Sequence, residues 1–529
     1  MIFKKTIACI ARVIMVVAAA GSLVFCSDLK AQPSKQESGF AMKGFYLDLR
    51  NEVMTTQALK RFAREIADMG MNTLVMEYEA TYPYQNNATI SNEVAYSRQE
   101  VKSFISYCSS IGVEVIPVQE CFGHVQYILR HDRYNHLSED ARDLSQVCPL
   151  KAEGDSLLFQ DLLADMAAMH PSRYIHIGGD ETTLLGHDQA CKAMVEKEGK
   201  SRLFVNYMKM MSEMVLKMGK IPVMWADMLL KYPEAADLLP KETILLDWNY
   251  GWKPNHFGDI ANLQKKGFVF WGAASLRSHP DNWYVTDWMT HFNNQRDFIP
   301  YARNSGYQAM LMTSWSTSGL YSFTWDVGND VQDMEPIRNN YPLSGFRILI
   351  ASYAMALKQT APIDARAFVI AYAGSRFGLS AADGALLWKT FNLVPELLVH
   401  GKPAQSKDIA TMLRQNEEVI RILQNLKPTE HLSEFAHFRL MADLRQYYLS
   451  YKQVLAAYNA VDFNRAKAGQ LLQQVEELLD MSKGLDSRFG ALNKDFLKAP
   501  EIVKQNAVRN RPVRQLYQRL KNLNQHPKN

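Results

Sequence analysis

From Gly44 to about Thr360 the chain alternates short apolar runs with stretches whose apolar residues recur at helical spacing, the pattern of repeated βα units feeding a parallel sheet. The runs are Gly44–Leu49, Thr73–Glu77, Val113–Val118, Tyr174–Gly178, Ile221–Ala226, Thr243–Trp248, Phe268–Gly272 and Gln308–Trp315. Helical segments lie between them, among them Gln57–Met69, Gln99–Ile111, Leu158–Met169 and Lys200–Met218, with Pro342–Leu357 after the last run. Eight strands with intervening helices predict an α/β fold, a (β/α)8 TIM barrel over residues 42–360. Beyond about residue 360 helices follow one another: Lys407–Leu426, His431–Ala460, Phe463–Leu485 and Glu501–Leu523, with Leu471, Leu472, Val475, Leu478 and Leu479 at helical spacing. Residues 361–529 are therefore expected to form an all-α C-terminal domain with a structural or interaction role.

The carboxyl end of nearly every predicted strand carries a polar or large aromatic residue: Asp48 and Arg50, Glu77 and Glu79, Glu120 and His124, Asp180 and Glu181, Trp225 and Asp227, Asp247 and Trp248, Trp271, and Trp315. A barrel gathers its strand ends and following loops on one face, so these residues are expected to converge there. Eight of the nine Trp fall between Trp225 and Trp325, inside the barrel and not in the helical tail.

Composition narrows the partners. With 59 Lys+Arg against 55 Asp+Glu, the net charge of +4 leaves no concentrated basic face for nucleic acid. Lys4, Lys5 and Arg12 precede a short apolar run, Val13–Phe25, as in a signal peptide over residues 1–31. Its removal takes away Lys4, Lys5, Arg12, Lys30 and Asp28 and brings the charge to +1. Cleavage is expected after Ala31 or just before Cys26, which would then carry lipid and tether the protein to a membrane; Leu23 fits a lipoprotein signal and the bulky Phe25 does not. Export follows, to a periplasm or outer membrane if the source is bacterial and to the medium otherwise. No later stretch reaches the roughly 18 apolar residues of a membrane span. Cys108, Cys121, Cys148 and Cys191 show no CxxC or zinc spacing and read as buried free thiols.

Tyr174-Ile-His-Ile-Gly-Gly-Asp-Glu181 is the most informative stretch. Gly178 and Gly179 allow a sharp turn at a strand end, and Asp180 and Glu181 then emerge at the mouth. Neighbouring carboxylates in an aromatic pocket are expected to push one pKa up, giving a proton donor beside a retained anion. Such a pair suits cleavage of an acetal, with Glu181 protonating the leaving oxygen and Asp180 remaining charged. Adjacent residues do not readily bracket a sugar from both sides at about 5 Å, but a substrate carrying its own nucleophile, the 2-acetamido group of an N-acetylhexosamine, removes that need. His176 reads as a hydrogen-bonded strand residue; its spacing to the acidic pair could serve a metal, yet no second His completes a site, and neither metal nor cofactor is expected. Glu77 and Glu79 could equally pair with Arg50 or meet a ligand.

These residues resemble glycoside hydrolase family 20, the β-N-acetylhexosaminidases, whose hallmark is His-x-Gly-Gly-Asp-Glu. Glu77-Tyr-Glu-Ala-Thr-Tyr-Pro-Tyr84, Ile116-Pro-Val-Gln-Glu-Cys-Phe-Gly-His124, Met224-Trp-Ala-Asp-Met228, Asp247-Trp-Asn-Tyr250 and Phe270-Trp-Gly-Ala-Ala-Ser275 are similar to its hexosaminidase D branch, which lacks the usual amino-terminal accessory domain. The resemblance implies an exo-acting, retaining enzyme that removes terminal β-linked GlcNAc or GalNAc from glycans through an oxazolinium intermediate formed by the substrate. It implies Glu181 as general acid/base, Asp180 as the residue that orients the acetamido group, and Tyr250 as the donor to its carbonyl. Trp225, Trp248 and Trp315 would wall the sugar pocket with Trp271 nearby, and Asp48, Arg50, Glu120, His124 and Asp227 would bind hydroxyls. Ser316-Thr-Ser-Gly-Leu-Tyr321 departs from the branch's Arg-Tyr-Asp-type continuation, which bears on substrate preference. A disaccharide-releasing or sulfated-sugar enzyme, or a glycan-binding barrel without catalysis, are the alternatives.

Overall fold

The computed structural model describes residues 39–525 apart from 279–280, 318–320, 327–330, 394–397, 400–401 and 404–407. The leader read over residues 1–31, with Cys26, lies outside the described residues. Among them no helix is long and apolar enough to cross a membrane.

Period-two alternation builds the barrel. Strands β1 (Met42–Asp48), β2 (Thr73–Glu77), β3 (Glu114–Val118), β4 (Tyr174–His176), β5 (Ile221–Trp225), β6 (Ile244–Trp248), β7 (Phe270–Arg277) and β8 (Ala309–Ser314) pair in sequence order, and β8 returns to β1. Every pairing is parallel. One parity of side chains points to the axis and forms a separate inner cluster that includes Tyr46, Val75, Val118, Val223, Leu246 and Leu311. The other parity, including Phe45, Leu74, Val115, Met224 and Leu245, joins the larger core beneath the helices. Continuing the inward parity by one step carries Asp48, Glu77, Glu120 and Trp248 to the mouth, and Trp315 reaches it just past the end of β8. Asp247 has the outward parity, and the Tyr307 hydroxyl donates to its carboxylate at 2.7 Å.

The helices follow in turn: α1 (Thr56–Asp68), α2 (Arg98–Ser110), α3 (Ala152–Met169), α4 (Gln189–Lys217), the short α5 (Asp227–Lys231) and α6 (Ile260–Lys265), α7 (Trp288–Asn304) and α8 (Arg347–Lys358). Local chemistry starts them. The Thr55 hydroxyl caps α1 by accepting from Ala58 N at 3.1 Å, and Ser97 with Glu100 forms a reciprocal capping box on α2. Between β3 and α3 a hairpin, Ser138–Asp140 against Asp143–Val147, is inserted on the mouth side.

The tail is mostly helical, as its periodicity predicts: α9 (Ala365–Phe377), α10 (Ala381–Asn392), α11 (Ile409–Asn425), α12 (Leu432–Tyr458), α13 (Arg465–Asn493) and α14 (Ala499–Gln525). These helices dock on the barrel, and the chain from Gly39 onward forms one compact unit. Trp288 of α7 packs on Phe391 and Phe438, ring centroids 4.5 and 5.8 Å away. The turn between α13 and α14 grips the β1–α1 loop through backbone bonds: Thr55 N donates to Phe496 O and Lys498 N to Val53 O, both at 2.8 Å. Arg338, just past the last barrel strand, makes a two-pronged ion pair with Glu501 of α14 at 3.1 and 3.2 Å, both side chains buried.

Candidate active site

The mouth is layered from the strands upward. At its floor lie Tyr46, His176 and Trp225, with ring centroids 4.8–5.8 Å apart. Burial holds His176 neutral, lowering its pKa to about 3, and its Nδ1 accepts from Gly178 N at 3.1 Å. His176 is thus a strand residue that fixes the turn, as the sequence suggests. Trp315 stands above, 5.3 Å from Tyr46, and its Nε1 donates to the Tyr250 hydroxyl at 3.0 Å. Its hydroxyl also bonds the Thr313 side chain, and burial raises the Tyr250 pKa so that it stays protonated as a donor. Trp248 completes this wall 5.0 Å from Tyr250.

Gly178 turns the chain at φ +66°, and any Cβ there would overlap the Glu120 carboxyl, so only glycine lets β4 pass that side chain. The turn delivers Asp180 and Glu181 next to His124, whose Nε2 lies 3.3 Å from Asp180 Oδ2 and 3.5 Å from Glu181 Oε2. Burial alone would lower the His124 pKa, but the two carboxylates outweigh it and hold the ring protonated well above the ordinary imidazole value. The hydrogen bond from His124 in turn lowers the Glu181 pKa. This corrects the expectation that proximity of the acidic pair drives one member up: a cation sits between them and reverses the sign for Glu181. The upward shifts lie one layer back. Burial, with Asp180's charge, raises Glu120 well above the carboxylate range and pushes Asp227 up to about 7. The His124, Asp180 and Glu181 donors also approach one another within 4.8 Å, close enough to hold a cation.

Backbone strain marks the same place. Glu79, His124 and Glu181 all adopt left-handed φ, +45°, +54° and +44°, which non-glycine residues rarely accept without a surrounding that enforces it.

The remaining predicted residues separate by environment. Asp48 accepts from Arg50 N, Nε and Nη2 at 2.9 Å each and from Ser316 N at 2.8 Å. Burial would raise its pKa, but Arg50 more than offsets that and lowers it. With its lone pairs occupied, Asp48 organises Arg50 and the strand end after β8 and presents no free oxygen to a hydroxyl. Arg50 is buried, 3.6 Å from Glu77 and 3.5 Å from Glu79, which favours the structural side of the two readings of those glutamates. Asp227 is fully buried and accepts from Glu181 N at 3.2 Å, positioning that residue from behind. Trp271 is brought to neither wall nor floor. β7 runs to Arg277, five residues past the predicted end, so Trp271 is its second residue and packs on Tyr174, the first residue of β4, at 5.0 Å. This is a correction: Trp271 fills the amino-terminal part of the barrel interior.

Sequence reading missed three contributors. Tyr46, one parity step below Asp48, is one of the three rings of the floor. Lys231 stands 3.7 Å from Asp227 and 5.1 Å from the Phe257 ring beside Glu181's half-exposed carboxylate. Trp252, 5.5 Å from Tyr250 and stacked on His256 at 4.7 Å, extends the aromatic wall outward. Period-two parity signals Tyr46; Lys231 ends the short helix α5, one turn from Asp227, and Trp252 lies in a loop where no periodicity operates.

A parallel eight-stranded barrel whose mouth joins an acidic pair to an aromatic wall defines a glycoside hydrolase. The family model of the glycosyl hydrolase family 20 catalytic domain matches residues 42–312, half of the chain, and the chain belongs to that family. It is 25% identical over 298 residues to Hexosaminidase D from Bos taurus, covering 53% of this chain and 86% of that one. Hexosaminidase D from Homo sapiens is 26% identical over 300 residues, covering 54% of this chain and 62% of that one. The β-N-acetylhexosaminidase structure from Bacteroides fragilis aligns at 18% identity and TM-score 0.46, over 60% of this chain and 66% of that one.

Proposed function

We propose that the protein is an exo-acting, retaining β-N-acetylhexosaminidase that removes terminal β-linked GlcNAc or GalNAc, the substrate's acetamido oxygen serving as nucleophile. The observation that carries this reading is the trio of Asp180, His124 and Glu181 facing the Tyr250 hydroxyl across an aromatic floor. Asp180 accepts the acetamido N–H and aligns the group; Tyr250 donates to its carbonyl oxygen; Trp225 and Trp315 support the ring. As the carbonyl oxygen bonds to the anomeric carbon, the glycosidic bond breaks and Glu181 gives a proton to the leaving oxygen. In the free site that proton resides on His124. Substrate displaces water from Glu181, weakens its ionised form, and draws the proton across from Nε2. Glu181, deprotonated after the first step, then activates water to open the oxazolinium.

The charge balance argues against a sulfated-sugar enzyme. With Glu120 held protonated, Asp48, Glu77, Glu79, Asp180, Glu181 and Asp227 still crowd a mouth where the cations among the described residues are Arg50, His124 and Lys231. An anionic substituent would meet net repulsion there. Export through a leader over residues 1–31, with a lipid on Cys26 as the second form, belongs to the same proposal, and the mass of the mature amino terminus tests it.

The test is hydrolysis of 4-nitrophenyl β-GlcNAc, β-GalNAc and β-glucoside in parallel. Activity on an acetamido sugar with none on glucose is expected, and rates should fall steeply as fluorine replaces hydrogen on the acetamido methyl. A rate indifferent to fluorination would remove the substrate-assisted mechanism; turnover of none of the three would favour a binding barrel.

A further inference from the structure

Behind the catalytic turn, two loops are sewn together by polar contacts that the chemistry at the mouth does not use. The hairpin after β3 contributes Glu139, whose Oε1 accepts from three successive backbone N–H groups, Gly186, His187 and Asp188, at 3.0–3.1 Å. Gln146 of the same hairpin accepts from Leu184 N at 3.0 Å. Both bonds land on the segment that runs from Glu181 into α4. Next to them Cys148, which closes the hairpin, and Cys191, in the first turn of α4, bring their sulfurs to 3.4 Å. Both thiols are buried.

We propose that Cys148 and Cys191 form a disulfide that staples the His124-bearing loop to the Asp180–Glu181 loop. A disulfide bond is about 2.05 Å, so closure needs the sulfurs to approach by about 1.4 Å, within reach of small side-chain rotations. The step exchanges with an external disulfide: one cysteine sulfur attacks it and releases a thiol, the second attacks the mixed disulfide and releases another, so that two thiols are oxidised and one external disulfide reduced. Burial in the finished fold places the reaction during folding, before α4 closes over the hairpin.

Glu139 also distinguishes this pairing from a metal site. Its Oε2 is buried without a hydrogen-bond partner, and with the two sulfurs it makes a group of donors within 4.8 Å. A cation there would need two thiolates beside a carboxylate, three negative charges in a buried pocket with only three ligands, whereas structural zinc takes four. A disulfide adds no charge beside Glu139, whose other oxygen keeps its three N–H donors.

The full chain, refolded with oxidised glutathione, is blocked with iodoacetamide in denaturant and digested. We expect one cross-linked peptide pair containing Cys148 and Cys191, 2 Da lighter than its reduced form, with Cys108 and Cys121 alkylated. The melting temperature should rise by about 3–5 °C on oxidation and return with dithiothreitol. Cys148→Ser should abolish that shift and Cys108→Ser should keep it; the peptide map of the unaltered protein stands even if a variant fails to fold. Alkylation of both Cys148 and Cys191 after oxidation would overturn the proposal. So would one bound zinc per chain whose removal by a chelator exposes both thiols.

Discussion

The barrel mouth and the helical tail both bury charge, but to opposite ends. At the mouth, like charges are packed together: Glu120, Asp180 and Asp227 share a low-dielectric volume with His124 as the cation between, and the pKa values are displaced in both directions. In the tail and where it meets the barrel, opposite charges are paired, as in Arg338 with Glu501 and Arg509 with Asp486 at 2.7 Å. A matched buried pair fixes where two elements meet; an unbalanced cluster stores the capacity to move a proton. The difference teaches that the tail is no bystander. It meets the barrel at the β1–α1 loop, and that loop carries Arg50, the partner of Asp48, Glu77 and Glu79.

The strongest test of the contrast is at the mouth. Glu181→Gln should lower kcat on disaccharide substrates by about 10²–10⁴-fold while leaving KM nearly unchanged, and should lose less on 4-nitrophenyl glycosides, whose leaving group needs little protonation. Equal losses of kcat and binding would break the assignment. Next in size is the tail. Glu501→Ala takes the buried one of Arg338's two carboxylate partners, leaving the half-buried Glu335 at 3.0 Å, and should cost up to about 3 kcal/mol in denaturant unfolding. Pairing it with Arg338→Met should recover most of that stability, and a tail that only neighbours the barrel would leave activity unaffected at temperatures where both variants are folded.

Smaller effects sharpen the picture. Trp315→Phe removes the donor that orients Tyr250 and should raise KM for an acetamido sugar by about 2–10-fold with little change in unfolding. Asp247 gives the pH test. Burial pushes its pKa from 3.8 up to about 7, so the folded protein loses stability as pH rises from the lower value to the higher. Asp247→Asn should therefore melt like the parent below pH 3.8, gain an advantage up to about pH 7, and hold it constant above. An advantage that is the same at every pH would show that the carboxyl titrates normally.

Much of this was legible in the chain. Six of the eight predicted strand starts, at Thr73, Tyr174 and Ile221 and within a residue at Val113, Thr243 and Gln308, fall where the structure begins the strand, because an apolar run bounded by polar residues leaves little choice of register. The Gly-Gly-Asp-Glu turn was legible too, since two glycines after an apolar run permit the left-handed φ of +66° and +93° that the turn adopts. Trp271 shows the limit: its run was read as ending at Gly272, and nothing local reveals that Ala273–Arg277 continue the strand. A shift along a strand moves a side chain from the mouth to the far end of the barrel.

By itself, then, the sequence determined the eightfold alternation, the helical tail and the acidic pair, because period, turn chemistry and residue type act over a few neighbours. Tertiary structure decided the protonation pattern and the support of the mouth. His124 meets Glu181 across 57 positions of chain, and Leu497 pairs with Met54 across 443, each count being the difference of the two residue numbers. Charge coupling and docking depend on distance in space, which local pattern does not encode.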